Sequence, residues 1–406
     1  MAYSRFERVC DLLRRADSMF RREMNEWGLG CVFYYMDNFK VEESMLRVAA
    51  KFWDHKKHVF RFNWSEMCPT VEEFGAIMGN KNMESVLFSA YHFDPKKILC
   101  NYLDHPLKDM DEVIDKDHTF DLELLIDLYW RDNCPSDTRF WSMRVMILAA
   151  FFFVSDLEKV DSMLCGVAVE GKDKNLAPMI LAETLMGLDK VAKGETQDFT
   201  GSPLLLQMWL YEHLYLFGRC PRNKLDVSIP ARIHQRHQHA FPRSPDELEE
   251  KLSNVRHMEL GVVPHWGINC MTQSFLKEGC VVVIGLHRST FYPAYRVLYQ
   301  FGRDQSKPIF PLDYTDEEYG GQNPILLDEP WKKRQMMTAT DNFKSRMMLP
   351  SYLEWLKSDV IPGYPRDAKA KEEARKRCNV EIRNLDECNS EGEWAPPSSD
   401  DEEEEE

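Results

Sequence analysis

The sequence predicts a mainly α-helical protein with a few short β-strands, built as one large helical domain or as two packed helical lobes. Apolar residues recur at helical spacing in many segments between residues 41 and 310, whereas strict alternation is confined to short stretches. Hydrophobic residues make up 44% of the chain and aromatic residues 12%, which is enough to fill a large core. The acidic C-terminal end is predicted to be disordered.

Residues 52–79 are the stretch around which the fold is expected to form. Phe60, Phe62 and Trp64 alternate with polar residues there, and this period of two predicts a strand with one buried face. A turn and a helix follow directly. The strand, turn and helix signals agree with one another, so we expect a packing unit whose residues have structural roles.

The helix after this strand has start and stop signals at both ends. Thr70 is expected to be the N-cap, with its hydroxyl accepting the amide of Glu73 while the Glu73 carboxylate accepts the amide of Thr70. Pro69 ends the preceding segment and is expected to pack onto Phe74. Gly79 suits the left-handed position that ends such a helix.

Helical periodicity and capping signals predict the other elements of the chain. Helices are expected at residues 3–26, 41–53, 120–130, 140–154, 177–191, 203–217, 244–255, 292–301 and 350–360, and a strand at 281–286. The helix at 203–217 is apolar on nearly every side, which predicts a central position in the core. The helix at 3–26 has one apolar face with arginines opposite, and it serves either as a solvated basic surface or as a partner-binding helix.

Four regions are expected along the chain. Residues 1–40 form an N-terminal amphipathic helical region, and residues 41–310 form the globular part, with an internal boundary near the proline-containing stretch 218–243. Residues 311–366 are a C-terminal extension with a short helix. Residues 367–406 are a charged helix that passes into the disordered acidic tail.

Two blocks of this sequence resemble the plant mobile domain family, which is transposon-associated and in part labelled "aminotransferase-like". The first block is His58–Phe62 followed by Pro69–Gly79, and the second is Val281–Leu286 followed by Tyr292–Gln305. The resemblance implies a domain carried by, or derived from, a plant transposable element. It also implies a role in nuclear regulation or transposon silencing. No residue of the chain supports the pyridoxal chemistry of an aminotransferase, which needs a Schiff-base lysine together with a phosphate-binding loop.

Composition and charge limit the compartment and the partners. The formal net charge is −16, and the acids at 400–406 carry seven of these charges, so the body is moderately acidic. The eleven cysteines include no Cys-x-x-Cys pair, which is typical of reduced thiols in a nuclear or cytoplasmic protein. No secretory signal is recognised, and the longest apolar run, 145–154, is too short to cross a bilayer. We therefore expect no membrane partner.

Three histidines lie close together in the stretch after residue 230. His234, His237 and His239 could contribute to a metal site, but no cysteine or carboxylate follows at a spacing typical of zinc fingers. A polar loop is the alternative, and no metal site is assigned.

Arginines suggest a contact surface for nucleic acid or for a protein partner. The candidate residues are Arg232, Arg236, Arg243, Arg296 and Arg303. Arg296 and Arg303 are seven positions apart, so they are expected to share a helix face. Salt-dependent phosphate contacts are one interpretation. Ion pairs with the abundant surface carboxylates are the other.

The motifs of common enzyme classes are missing from the sequence. It contains no nucleotide-binding glycine loop, no His-Glu-x-x-His and no nucleophile elbow, so no catalytic residue and no cofactor are assigned. The sequence favours a non-enzymatic interaction or chromatin-associated module with unidentified protein partners. The alternative is a nucleic-acid-processing enzyme of a mobile element. His58, Glu66 and Glu72 side by side in an open hollow would support an ion site and that alternative.

Overall fold

The computed structural model gives a mainly α-helical fold with a few short strands, as predicted. It describes residues 2–214 except 39, 63–64, 81, 88, 91, 105–106 and 156–158, and then residues 244–255, 268, 270–274, 280–301, 303–305, 307, 331–338, 350–355 and 358. The predicted boundary at 218–243 and the predicted acidic tail at 367–406 lie outside the described residues, so both stay predictions.

Four helices open the chain: α1 Ala2–Arg14, α2 Ser18–Glu26, α3 Val32–Asn38 and α4 Glu43–Ala50. The single helix predicted at 3–26 is therefore wrong. The chain breaks at Asp17, whose side chain accepts the amide of Phe20 at 2.7 Å and so starts a second helix. The apolar residues Val9, Leu13 and Phe20 are buried in the core, which leaves this face of α1 and α2 closed to a partner.

A small antiparallel sheet follows α4. It contains β1 Trp53–Asp54, β2 Val59–Phe62 and β3 Ser65–Met67, paired in the order β1-β2-β3 with Phe60 opposite both Trp53 and Met67. All four residues of β2 are buried. The predicted polar face is therefore wrong, because Arg61 points into a protein environment that contains its acidic partners. Trp64 lies outside the described residues.

Helix α5 spans Val71–Met78, and its predicted ends are confirmed. The Thr70 amide donates to Glu73 Oε2 at 3.0 Å and the Glu73 amide donates to Thr70 Oγ1 at 3.4 Å, which completes the capping box. Gly79 ends the helix with φ +83°, a conformation in which a Cβ atom would be strained. Every residue of α5 is buried, so the helix lies inside the molecule. The contact between Pro69 and Phe74 stays a prediction.

Short elements surround this centre in the middle of the chain. They are α6 Pro95–Leu103, α7 Met110–Val113, β4 Thr119–Asp121, α8 Leu122–Trp130, α9 Ser136–Ile147, β5 Lys159–Asp161 and α10 Leu164–Glu170. A 3₁₀ turn precedes α7 at Leu107–Asp109, and a π-helical turn at Leu148–Phe152 continues α9. Strands β4 and β5 pair antiparallel.

Two helices form the centre of the core: α11 Ala177–Lys193 and α12 Pro203–His213. All residues of α12 are buried, as the apolar character of the stretch predicted, although the helix ends before the predicted Phe217. Gly201, at φ +81°, permits the close approach of these helices, because a Cβ atom there would lie 2.4 Å from the Thr184 amide nitrogen.

The remaining described elements are α13 Pro245–Ser253, β6 Cys270–Ser274, β7 Val281–Ile284, β8 Ser289–Tyr292, β9 Gln335–Thr338 and α14 Pro350–Trp355. The Ser244 hydroxyl caps α13 by accepting the Glu247 amide at 3.2 Å. Strands β7 and β8 form a hairpin, and β6 pairs with β9 in a two-stranded ribbon.

The helix predicted at 292–301 is wrong. Tyr292 ends β8, where it pairs with Val281, and 3₁₀ turns follow at Ala294–Arg296 and Leu298–Phe301. The intervening Pro293 has no amide hydrogen to donate to a helix, which separates the strand from the turns. Residues 280–301, the closing segment, pack on α11 and belong to the same buried apolar cluster as the N-terminal helices.

Candidate functional site

Glu66, Glu72, Glu73 and Asp189 are buried carboxylates that lie in the core of the described structure. Glu66, Glu72 and Glu73 come from the predicted strand–turn–helix stretch, and Asp189 comes from α11. Their relative exposure is between 0% and 4%. Buried carboxylates are tolerated only when hydrogen bonds or opposite charges replace their water, so their partners define the chemistry of this site.

Glu73 is the most completely paired of the four. Its Oε2 accepts the Thr70 amide and the Trp209 Nε1–H, the latter at 2.8 Å. Its Oε1 lies 3.0 Å from His213 Nε2 and accepts the Gln300 side-chain amide at 3.3 Å. Four donors from three parts of the chain thus converge on one carboxylate, which joins α5 to α12 and to the closing segment.

Glu66 forms a buried ion pair with the closing segment. Arg296 Nε donates to Oε2 at 2.9 Å and Nη2 donates to Oε1 at 2.6 Å, a bidentate arrangement. Arg61 Nη2 lies 3.2 Å from the same Oε1, and the Tyr299 hydroxyl donates to the Glu66 carbonyl oxygen at 2.5 Å. Burial alone lowers the pKa of Arg296, but attraction to Glu66 more than offsets it, so the net pKa is raised and the guanidinium stays charged.

His58 forms a second buried pair, with Asp189. Its ring is stacked between Trp53 and Phe291, with Nδ1 at 2.7 Å from the Phe291 carbonyl oxygen and Nε2 at 3.0 Å from Asp189 Oδ2. The Trp53 Nε1–H donates to Asp189 Oδ1 at 2.7 Å. A carbonyl and a carboxylate only accept hydrogen bonds, so both ring nitrogens must donate if Asp189 is ionised. The geometry therefore fits an imidazolium–carboxylate pair.

Glu72 is the least satisfied carboxylate. Its Oε1 accepts the Thr272 amide of β6 at 2.6 Å, whereas Oε2 is buried without a hydrogen-bond partner in the described part of the chain. Burial raises the pKa of Glu72 to about 7, and the nearby Glu73 adds to the shift. This carboxyl therefore changes charge close to neutral pH while it holds the ribbon on α5.

These groups do not form the ion site that an open hollow would indicate. His58, Glu66 and Glu72 are each buried and bound to a different partner, namely Asp189, Arg296 and Thr272. Among the described residues, no group of three histidines, cysteines or carboxylates is arranged to hold a metal ion. What the arrangement does chemically is to join distant parts of the chain through buried charge.

The arginine surface predicted from the sequence is not assembled in the described structure. The prediction that Arg296 is a surface contact is wrong, because its side chain is 1% exposed and is neutralised by Glu66. Arg303 is half-buried and its Nε donates to the Thr338 carbonyl oxygen at 2.6 Å. The two do not share a helix face, since the helix predicted for them does not form. Arg232, Arg236 and Arg243 lie outside the described residues, as do His234, His237 and His239.

Several residues of this site were missed by the sequence analysis. Trp209 and His213 are polar-tipped side chains four positions apart in a helix that is mostly apolar, and that pattern could have indicated a buried acceptor. Gln300, Thr272 and Asp189 have no comparable local signal. Their partners lie more than 100 residues away in the chain.

The described cysteines, Cys10, Cys31, Cys68, Cys100, Cys134, Cys165, Cys270 and Cys280, are free thiols. No helix in the described part of the chain combines the length and the apolar character needed to cross a membrane.

The fold and its buried acids define a class of protein: a helical domain with a minor sheet, in which C-terminal strands and turns close over carboxylates from the N-terminal part. The chain belongs to the family described as Domain of unknown function (DUF7745), whose profile matches residues 19–234, more than half of the sequence. Neither the curated proteins nor the solved structures contain a match. The matched stretch ends before Thr272, Arg296 and Gln300, which pair with its buried acids.

Proposed function

We propose that this protein is a non-enzymatic interaction or chromatin-associated module, derived from or carried by a plant transposable element and related to the plant mobile domain family. It acts in the nucleus or the cytoplasm. Protein partners come first in this proposal, and nucleic acid is a secondary partner. A compact domain whose surface contacts other macromolecules is the role that its buried site supports best.

One observation carries the proposal: Glu66 and Glu73 of the motif are engaged inside the molecule. Glu73 accepts four hydrogen bonds, and Glu66 is paired with Arg296. An active site needs polar groups that face a substrate in a cleft. Groups that are fully engaged with the protein's own residues stabilise a scaffold instead, and such a scaffold supports a binding surface.

The relationship to the plant mobile domain family has its own support. The two blocks that carry the resemblance are far apart in the sequence, yet they are in direct contact, because Gln300 Nε2 of the second block donates to Glu73 Oε1 of the first at 3.3 Å. Residues next to the blocks add the contacts Glu66–Arg296, His58–Phe291 and Cys68–Gln300. A shared pair of blocks is more meaningful when its members form one structural unit. The relationship itself stays a proposal.

Affinity purification of the full-length chain from plant nuclear and cytoplasmic extracts tests the function, with parallel treatment by DNase and RNase. We expect protein partners in stoichiometric amounts that persist after both treatments. Loss of every partner on nuclease treatment would indicate a nucleic-acid-binding protein.

An assay for nuclease and strand-transfer activity with Mg²⁺ or Mn²⁺ tests the enzymatic alternative. We expect no turnover above the background of a Glu72→Gln variant purified in the same way. Metal-dependent cleavage that this substitution abolishes would overturn the non-enzymatic proposal, because it would require the buried carboxyl to act on a substrate.

A further inference from the structure

A group of hydrogen-bond donors beside the Glu66–Arg296 pair is buried and unpaired. Arg296 Nη1, the Tyr352 hydroxyl and Trp355 Nε1 have no hydrogen-bond partner in the described part of the chain. The three side chains are only 1%, 0% and 4% exposed. Leaving a buried donor unsatisfied costs about 1–3 kcal/mol, and more when the donor is charged. Three such donors in one place therefore need an explanation.

These donors form one cluster. The guanidinium carbon of Arg296 lies 5.0 Å from the centre of the Trp355 ring, and the rings of Tyr352 and Trp355 are 5.2 Å apart. Burial raises the pKa of Tyr352, and the charge of Glu66 adds to this shift, so its hydroxyl keeps its proton and can donate.

Positive charge also exceeds negative charge among the buried groups around Glu66. The guanidinium groups of Arg61 and Arg296 both approach the same oxygen, Glu66 Oε1, at 3.2 and 2.6 Å. Asp54 reaches Arg61 Nε at 3.4 Å, but its side chain is 22% exposed and lies toward solvent. One fully buried carboxylate thus serves two buried guanidinium groups, and the environment favours a second anion.

We propose that Arg296 Nη1, the Tyr352 hydroxyl and Trp355 Nε1 bind a small oxyanion of the phosphate class. Phosphate offers several strong acceptor oxygens, and a guanidinium group matches its geometry and charge. The site adds a ligand to the protein and does not depend on the proposed interaction role. Free inorganic phosphate and phosphate monoesters both present such acceptor oxygens, so either could occupy the site.

Helix α14 belongs to the site, because it supplies two of the three donors. The helix has only six residues and packs on the body through Tyr352 and Trp355. An anion between these side chains and Arg296 would bridge the helix to the core. Binding should therefore slow amide hydrogen exchange in residues 350–355, while exchange in α12 stays unchanged.

Calorimetry on the full-length protein tests the site, with inorganic phosphate and O-phosphoserine as probes and sodium chloride at equal ionic strength as the reference. We expect saturable binding of at least one probe. Tyr352→Phe should weaken binding about tenfold, since it removes one donor to a charged acceptor and keeps the ring. Trp355→Phe should act in the same direction.

Tyr292→Phe is the matched control. Tyr292 is another buried tyrosine, and the charges that shift its pKa are those of Glu72, Cys68 and Glu73 and not of an arginine. We expect this variant to bind as the wild type does. Binding of O-phosphoserine assigns the source as a phosphate ester, and binding of phosphate alone assigns the free ion. No saturable binding of either probe, or equal affinity in Tyr352→Phe, overturns the proposal.

Discussion

The closing segment, residues 280–301, and the β6–β9 ribbon both pack against the motif helix α5 or its neighbours, but they are attached in different ways. The closing segment is buried at nearly every position and joins the body through Arg296 and Gln300. The ribbon exposes three of the four β9 residues, and it is linked to α5 through Glu72, which accepts the Thr272 amide at 2.6 Å. Charge pairs and side-chain amides therefore join the closing segment to the body, whereas the ribbon is joined to α5 through the Glu72 carboxyl, which titrates near neutral pH.

Removing the charge pair should have the largest effect. Arg296→Met leaves Glu66 buried with only the Arg61 ion pair, and we expect the free energy of unfolding to fall by about 3–5 kcal/mol. Urea denaturation followed by circular dichroism measures this loss. Arg288→Met, at an exposed position in the β7–β8 hairpin of the closing segment, is the control and should change stability by less than about 0.5 kcal/mol. Equal losses in the two variants would contradict a specific role for the pair.

Glu72 should make the ribbon sensitive to pH. Its folded pKa is raised, so its contribution to stability is fully present below pH 4.5 and is lost as the pH rises through about 7. Glu72→Gln cannot ionise, and we expect it to exceed the wild type by up to about 3 kcal/mol at pH 8. Near pH 4.5 the two should be similar. Unfolding curves between pH 4.5 and 8 measure the difference, and parallel profiles would refute the assignment.

Replacing Gln300 tests the uncharged hydrogen bonds that join the closing segment to the body. Its Oε1 accepts the Cys68 amide at 2.8 Å, and its Nε2 donates to the Cys68 carbonyl at 3.0 Å and to Glu73. Gln300→Leu leaves buried groups of Cys68 unpaired, so we expect a loss of about 2 kcal/mol by urea denaturation. Gln305→Leu breaks the bond that Nε2 donates to the Tyr295 carbonyl oxygen at 3.0 Å, and it should cost about 1 kcal/mol. The reverse order would be inconsistent with these contacts.

The smallest loss of stability is expected at the N-cap of α5. Thr70→Ala removes the hydroxyl that accepts the Glu73 amide, which should cost about 1 kcal/mol. Thr70→Ser keeps an acceptor at this position and should retain most of the stability. Thermal unfolding of the two variants side by side gives the measurement, and an unchanged midpoint in Thr70→Ala would show that the cap contributes nothing.

Local signals explain which parts of the fold could be predicted. The capping box at Thr70 and Glu73, the stop at Gly79 and the buried helix α12 depend on residues within one or two turns of each other. Such contacts form at short sequence separation, so the order of residue types is sufficient to indicate them.

The candidate site could be predicted only in part. Glu73 was recognised as a cap residue, but its bonds to Trp209, His213 and Gln300 join residues more than 130 positions apart. Arg296 was placed on a surface because helical spacing suggested an exposed face. Two 3₁₀ turns stand in place of that helix, and the Arg296 guanidinium pairs with Glu66.

The sequence by itself determined the helical class, the cap and stop of α5, and the absence of familiar catalytic motifs, because each depends on neighbouring residues or on composition. Only the tertiary structure decided which carboxylates are paired, which one has an oxygen without a described hydrogen-bond partner, and which donors lie around Arg296. Those outcomes depend on packing between segments that are distant in the sequence, and the separation reaches 200 positions for Glu72 with Thr272 and 230 for Glu66 with Arg296. A buried charge pairs with the group that the packed chain brings close to it, and the residues next to it in the sequence do not indicate which group that is.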